Sequence, residues 1–382
     1  MPKILISCFI CGMAFLLTSS EKSTLITVHQ VNALDTTALA ERYKDSFAIG
    51  AALETKHLEG RSAEVIKYHF NSIAAENAMK APNIQPEEGI FNFEETDKIV
   101  SFAKEHNMEI RFHTLVWHSE MPDWFVLDKE GNPMIEETDP LKQEENKRLL
   151  LERLENHIRM IATRYRDDIK YWDVVNEVID EDAGNSWKLR ESLWYDLTGI
   201  DYIKTAFRTT KQYAGKDAKL FINEFDTEME PKRSYLLNLV KELVAEGVPI
   251  DGVGHQSHYT IGWPPLKEIE ETILLFSSFG LDNQITELDV SIYSSNPEQI
   301  FISEEQIPEK TLQDQAKYYD DLFKLYEKLD GQISSITFWG FADDHTWLDF
   351  RAQQLSGGPA KDAPFVFDSY YNVKPAYWAI VD

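Results

Sequence analysis

Cysteine is nearly absent: 382 residues hold two, Cys8 and Cys11, both close to the N-terminus. A disulfide framework or a thiolate metal centre is thereby excluded from the rest of the chain, since both need sulfur spread through the fold. Basic residues are scarce beside acidic ones, 38 against 65, for a formal net charge of -27. A field of that sign repels a phosphate backbone, so nucleic acid is not an expected partner; a neutral sugar or polymer is indifferent to it. Long apolar runs are missing too. The one candidate, Ile4 to Leu17, is too short to cross a bilayer comfortably, so no membrane span is expected. After Leu39 no Pro/Ser-rich or Gly/Ser-rich linker, internal repeat or low-complexity block interrupts the chain, which argues against an appended module.

The N-terminal "MPKILISCFICGMAFLLTSSEKS" has one Lys, an apolar run and then small polar residues, the layout of a secretory signal. A signal over residues 1–20 is expected, with export to a bacterial periplasm or the medium. Cleavage after Ala33, in "VNA", is the alternative. "LISC" resembles a lipoprotein box, but too few apolar residues precede Cys8, and acylation there is not the expectation. Residues 21–40 read as a polar segment, and 41–382 as a single domain. With 43% hydrophobic and 12% aromatic residues, that domain has ample material for a core.

Eight short β-rich runs follow one another: "FAIGAAL", "NSIAAEN", "EIRFHTLVW", "YWDVVNE", "LFINEF", "DGVGHQSH", "NQITELDV" and "SITFWGF". Between them lie stretches of helical period, such as the one carrying Leu312, Ala316, Tyr319, Phe323 and Tyr326. Strands covered on both faces lose their inside/outside alternation. Near-continuously apolar strands alternating with helices therefore predict an α/β fold, a single closed parallel (β/α)8 barrel, with an open doubly wound sheet as the alternative.

In such a barrel the chemistry collects where strands run out into loops. Polar groups recur there: Glu76 and Asn77, His113 with Trp117 and His118, Asn176 and Glu177, Glu224, Gln256 and His258, Glu287 and Asp289, and then Trp339. One carboxylate at a strand end is usually a solvated loop residue or a helix cap; the recurrence is what counts. Glu177 and Glu287 fall at the ends of the fourth and seventh runs. Two carboxylates across a barrel mouth divide labour in glycoside cleavage, one donating a proton to the leaving oxygen and the other attacking carbon. Gln256 and His258, like Glu287 and Asp289, alternate along a run and should face one way. Trp117, Trp124, Trp339 and Trp347 gather near the same ends, and indole faces stack on sugar rings. Lys80, four residues after Glu76, either reaches the cleft or pairs with that acid. "HQSH" and the His113/His118 pair raise metal ligation, but no "HExxH" or cysteine cluster supports it, so neither a metal nor a cofactor is expected.

With those residues in hand, the chain resembles the family ten glycoside hydrolases, the endo-β-1,4-xylanases of the (β/α)8 type. The matching motifs are "AAENAMK", "HTLVWH", "WDVVNE", "GHQSH", "ITELDV", "FWGFAD" with "HTWL", and "VFDSYYNVKPAYWAI". The resemblance implies Glu177 as general acid/base, Glu287 as nucleophile and Asn176 bonding the sugar 2-hydroxyl. His258 and Asp289 would tune the nucleophile. Glu76, Asn77, Lys80, His113, Trp117, Gln256, Trp339 and Trp347 would line the subsites on the non-reducing side, a late tryptophan crowding the place of a glucose hydroxymethyl group. Xylan and xylo-oligosaccharides are the implied partners, met by a monomer. Two departures stand out: Glu120 where the family usually has glutamine, and Ala81 where an aromatic is common. Glu120, when ionised, only accepts hydrogen bonds, so a substrate hydroxyl it meets must donate. A retaining β-glycanase acting on mixed-linkage glucan or mannan, and a non-catalytic carbohydrate-binding relative, are the alternatives.

Overall fold

Each of the eight runs forms a strand in the computed structural model, which describes residues 30–382. The strands are β1 (Ala48–Leu53), β2 (Ser72–Ala75), β3 (Glu109–Phe112), β4 (Tyr171–Asn176), β5 (Lys219–Glu224), β6 (Gly252–His255), β7 (Asp282–Ser291) and β8 (Ile333–Phe338). All pair in parallel with their neighbours in order, and β8 closes the ring on β1 in the register Ala48↔Ser335 to Ala51↔Phe338. The expected single (β/α)8 barrel is therefore what forms. Two short strands extend it at the mouth: Val116–Trp117 lies on β4 and His258–Thr260 on β7.

Helices cover the outside, which explains why the strands read as continuous apolar runs. Helix Pro140–Tyr165 starts under an Asp139 side-chain cap on the Leu141 N–H, has proline in its first turn, and buries Leu150, Leu154, Ile158 and Ile161. Helix Glu309–Lys328 buries Ala316, Tyr319, Phe323 and Tyr326 at the expected spacing; Leu312 packs into a separate small cluster near Tyr293 and Phe301.

Inside the ring the packing is partly ionic. Arg111 Nε donates to Asp173 Oδ2 at 2.9 Å, its other nitrogens reach Asp173 Oδ1 and Gln284 Oε1, and Arg111 and Asp173 are both buried. Gly254 makes this arrangement fit, since a Cβ there would stand 2.4 Å from Asn223 Oδ1 and 2.9 Å from an Arg111 guanidinium nitrogen. Breaking such a buried pair from one side is strongly destabilising, because the other charge is left in a low dielectric.

The packed unit begins at Val31, not at residue 41. Ala33 and Leu39 are fully buried, the Ala33 N–H donates to the Tyr371 carbonyl at 2.9 Å, and Val373 N–H donates to Val31 O at 2.9 Å. Six of these ten residues are apolar, three of them alanine, in a stretch too short for a periodic signal, so the sequence gives residues 31–40 no clear sign of their packing. Cleavage after Ala33 would remove Val31 and Ala33 with both backbone bonds, leaving Leu39 as the buried anchor. The signal segment and Cys8 lie outside the described residues.

Candidate active site

The long strand β7 carries Glu287 and Asp289 into the barrel mouth, and its pairing with the short strand His258–Thr260 sets His258 opposite Asp289. His258 bridges the two acids: Nδ1 stands 2.8 Å from Asp289 Oδ2, and Nε2 3.1 Å from Glu287 Oε2. Gln256 and His258, expected to alternate along one strand, do not share one. Strand β6 ends at His255 and Ser257 takes φ 65°, so the two side chains reach the mouth through a turn.

Glu287 is 4% exposed, and burial alone would favour its neutral form. Opposing that, His113 Nδ1 stands 3.8 Å from Oε1, His258 bonds Oε2, and Asn223 Nδ2 donates to Oε1 at 2.7 Å. Together they outweigh burial and hold the Glu287 carboxyl below the usual carboxylate range. His113 is itself steered by Asp173, 3.0 Å from Nδ1. For His258 burial works against a charge, but Asp289 and Glu287 prevail and push it up to about 10, so it is an imidazolium at neutral pH.

Glu177 follows β4 with φ 55°, a left-handed conformation that costs a side-chain-bearing residue of order 1 kcal/mol and clusters at functional sites. Its loop is clamped from behind. Arg190 donates to the carbonyls of Glu177 at 3.0 Å and Ile179 at 3.1 Å, and the Ile179 N–H donates to Glu224 Oε2 at 2.9 Å. Glu224 is fully buried against Lys232 Nζ at 2.9 Å; burial pushes its carboxyl up to about 7 against the pull of that ammonium. In front, Trp117 Nε1 donates to Glu177 Oε2 at 2.9 Å and Gln256 Nε2 to Oε1 at 3.0 Å. Asn176 Oδ1 accepts from Asn223 and Gln256, which leaves its Nδ2 to serve a ligand.

Glu177, Glu287, Asn176, Trp117, Gln256 and His258 face one cavity of about 870 Å³, lined also by Glu76, Asn77, Lys80, His113, Trp339 and Trp347. Of the fourteen residues given a catalytic, supporting or sugar-binding place in the sequence reading, thirteen either line this space or, as with Asp289, hold a residue that does, and Glu120 touches it through Lys80; His118 and Glu224, also noted at strand ends, do not line it. Lys80 resolves toward the cleft: Nζ bonds Asn77 Oδ1 at 2.8 Å and Glu120 Oε1 at 3.1 Å, while Glu76 pairs with His345 Nε2 at 2.8 Å. Trp347 Nε1 bonds Asp289 at 2.9 Å, its ring edge-on to His258. Trp124 is the exception among the tryptophans, stacked on Phe125 with Nε1 bonded to the Gln85 carbonyl, away from the cavity wall. Missed entirely were Asn223, whose amide joins Asn176 to Glu287, and the far wall of Phe225, Asp226, Thr260, Trp263, Ser294 and Arg351. Asn223 sits in "FINEF" beside Glu224, and an amide inside an apolar run was the available signal.

Among the described residues the histidines of "HQSH" and the His113/His118 pair do not converge. Three ligand-type side chains, Glu54, Glu76 and His345, do bring their donor atoms within 4.8 Å of one another, with Lys56 Nζ 3.0 Å from His345 Nδ1 already supplying a positive charge there.

A family model described as glycosyl hydrolase family 10 matches residues 38–382. The chain belongs to that family. It is thus a glycoside hydrolase. Among its relatives, endo-1,4-beta-xylanase A of Halalkalibacterium halodurans is 57% identical over 345 residues, covering 90% of this chain and 86% of that one. A protein named thermostable celloxylanase, from Thermoclostridium stercorarium, is 50% identical over 356 residues, covering 92% and 89%. The crystal structure of xylanase B from Clostridium stercorarium F9 superposes with a TM-score of 0.87 at 50% identity, covering 91% of this family 10 chain and all of that one. A family variant solved in complex with xylotriose superposes at 0.81, with 39% identity, covering 91% of this chain and all of that one.

Proposed function

We propose that this family 10 chain is a retaining endo-β-1,4-xylanase, with Glu287 as nucleophile and Glu177 as general acid/base. The observation that carries the assignment of roles is the unequal company of the two carboxylates. Glu287 is buried beside one imidazolium, a second histidine and an amide donor, surroundings that keep it ionised and ready to attack. Glu177 is half-buried at the cavity wall and receives only the neutral N–H groups of Trp117 and Gln256.

In the first step Glu287 attacks the anomeric carbon while Glu177 gives its proton to the leaving oxygen, forming a covalent glycosyl-enzyme. Water then enters, Glu177 takes its proton, and the oxygen attacks the same carbon, so two inversions restore the β configuration. Asn176 Nδ2 donates to the 2-hydroxyl of the sugar under attack. His258 and Asp289 keep Glu287 charged and aimed. Glu76, Asn77, Lys80, His113, Trp117, Gln256, Trp339 and Trp347 hold the sugars on the non-reducing side, with Glu120 acting through Lys80. Xylose is favoured because a late tryptophan crowds the place of a hydroxymethyl group.

The names of the relatives and the xylotriose complex support xylan and its oligosaccharides as substrate. The N-terminal pattern supports a cleaved signal at residues 1–20 and action outside the cell. Among the described residues no helix is long and apolar enough to cross a membrane, and the enzyme works as a monomer in this reading. The test is the course of hydrolysis of linear xylan: viscosity should fall early while mixed oligosaccharides appear. Xylose released from the first minutes with viscosity barely changed would overturn the endo assignment.

A further inference from the structure

Two cationic side chains other than histidine line the catalytic cavity, Lys80 and Arg351. Lys80 is committed to Glu120 and Asn77. Arg351 is not: among the described residues no carboxylate lies within 4.0 Å of its guanidinium. With 65 acidic residues against 38 basic ones in the chain, acidic partners are plentiful, and an arginine left without one in a cleft wall calls for a ligand.

Its place in the fold is well defined. The loop after β8 crosses the mouth from His345, bonded to Glu76, to Trp347, bonded to Asp289. Helix Leu348–Ser356 starts immediately beyond, and Arg351 stands one turn on from Trp347, with its N–H on the Trp347 carbonyl at 3.4 Å. Residues four apart share a helix face, so the arginine is presented beside a tryptophan that the Asp289 bond holds in position. Arg351 as a residue is half-buried, which spares a pair formed there part of the screening that weakens fully exposed ones. Its planar fork suits a carboxylate through two parallel hydrogen bonds, which no hydroxyl of a neutral sugar reproduces.

We propose that Arg351 is a recognition site for a carboxylate carried on the substrate, a uronic acid side group on the polysaccharide chain. This rests on the xylan reading above. The competing explanation is that Arg351 only offsets the acidic field of Asp226, Glu287 and Asp289, with no ligand of its own.

The test compares the full chain with Arg351→Gln on three oligosaccharides: a linear neutral xylo-oligosaccharide, the same chain bearing a uronic acid, and that acidic compound with its carboxyl reduced to the alcohol. The last keeps the shape and removes the charge. In the unsubstituted enzyme the ratio of kcat/KM for the acidic compound to that for its reduced form should exceed one and shrink as salt is raised. In Arg351→Gln the ratio should drop about tenfold, the worth of a charge-assisted hydrogen bond. A ratio unchanged by the substitution, or an equal loss on all three compounds, overturns the proposal. Failure of the unsubstituted enzyme on the neutral chain would instead sink the xylan reading, and calorimetric binding of the acidic and reduced compounds would still report on Arg351.

Discussion

His258 Nε2 stands 3.1 Å from Glu287 Oε2 while its Nδ1 stands 2.8 Å from Asp289 Oδ2, so one imidazolium serves two buried carboxylates. Its proton is held to about 10 in the folded enzyme, against about 6.5 in an unfolded chain. A raised histidine pKa stabilises the fold fully below the unfolded value, and that contribution drains away as pH rises through the folded value. His258→Asn should therefore lower Tm most at a pH of about 6, and the gap should narrow steadily toward about 10. A gap independent of pH over that window would mean that His258 is neutral in the native state.

The pair behind Glu177 makes a separate forecast. Lys232→Met leaves Glu224 buried without its ammonium, at a cost of about 3–5 kcal/mol where the carboxyl stays charged. Because Glu224 holds the Ile179 N–H, the Glu177 loop should loosen, and kcat should fall more than KM rises. Arg in place of Lys232 should restore part of both. An unchanged Tm together with unchanged kcat would show that the pair neither supports the fold nor positions Glu177.

Glu120 offers a milder test. Its bond to Lys80 is 3.1 Å long and the Glu120 side chain is 42% exposed, so screening limits its worth. Glu120→Gln should weaken xylo-oligosaccharide binding by about 1 kcal/mol, roughly fivefold in KM, with turnover nearly kept. A thousandfold loss of kcat would place Glu120 in the chemistry, contrary to this account.

The barrel was legible because burial on both faces makes each strand an apolar run, and the site because carboxylates, amides and indoles recur where those runs end. What escaped was whatever depends on contacts across the ring. Asn223 stands out only as an amide inside an apolar strand, and nothing in the sequence says that it is fixed by Thr286 Oγ1 at 2.6 Å and joins two other strands. Residues 31–40 hold on through two buried side chains and a few backbone bonds, a pattern without a period. The turn at Ser257 was hidden because alternation in "GHQSH" imitates a continuous strand. Trp124 misled for the opposite reason: proximity in sequence to the mouth did not decide which way its ring packs.

The division of roles between Glu177 and Glu287 is the central claim, and azide trapping tests it most directly. The measurement is the anomeric configuration, by NMR, of the glycosyl azides formed from an aryl xyloside whose leaving group needs no proton. Glu177→Ala keeps the nucleophile, so azide should intercept the covalent intermediate from the opposite face and give the β-azide after two inversions. Glu287→Ala lacks that step, and azide entering the vacated space should give the α-azide by one inversion. The opposite pattern of anomers would show that Glu177 is the nucleophile and Glu287 the acid/base, contradicting the account.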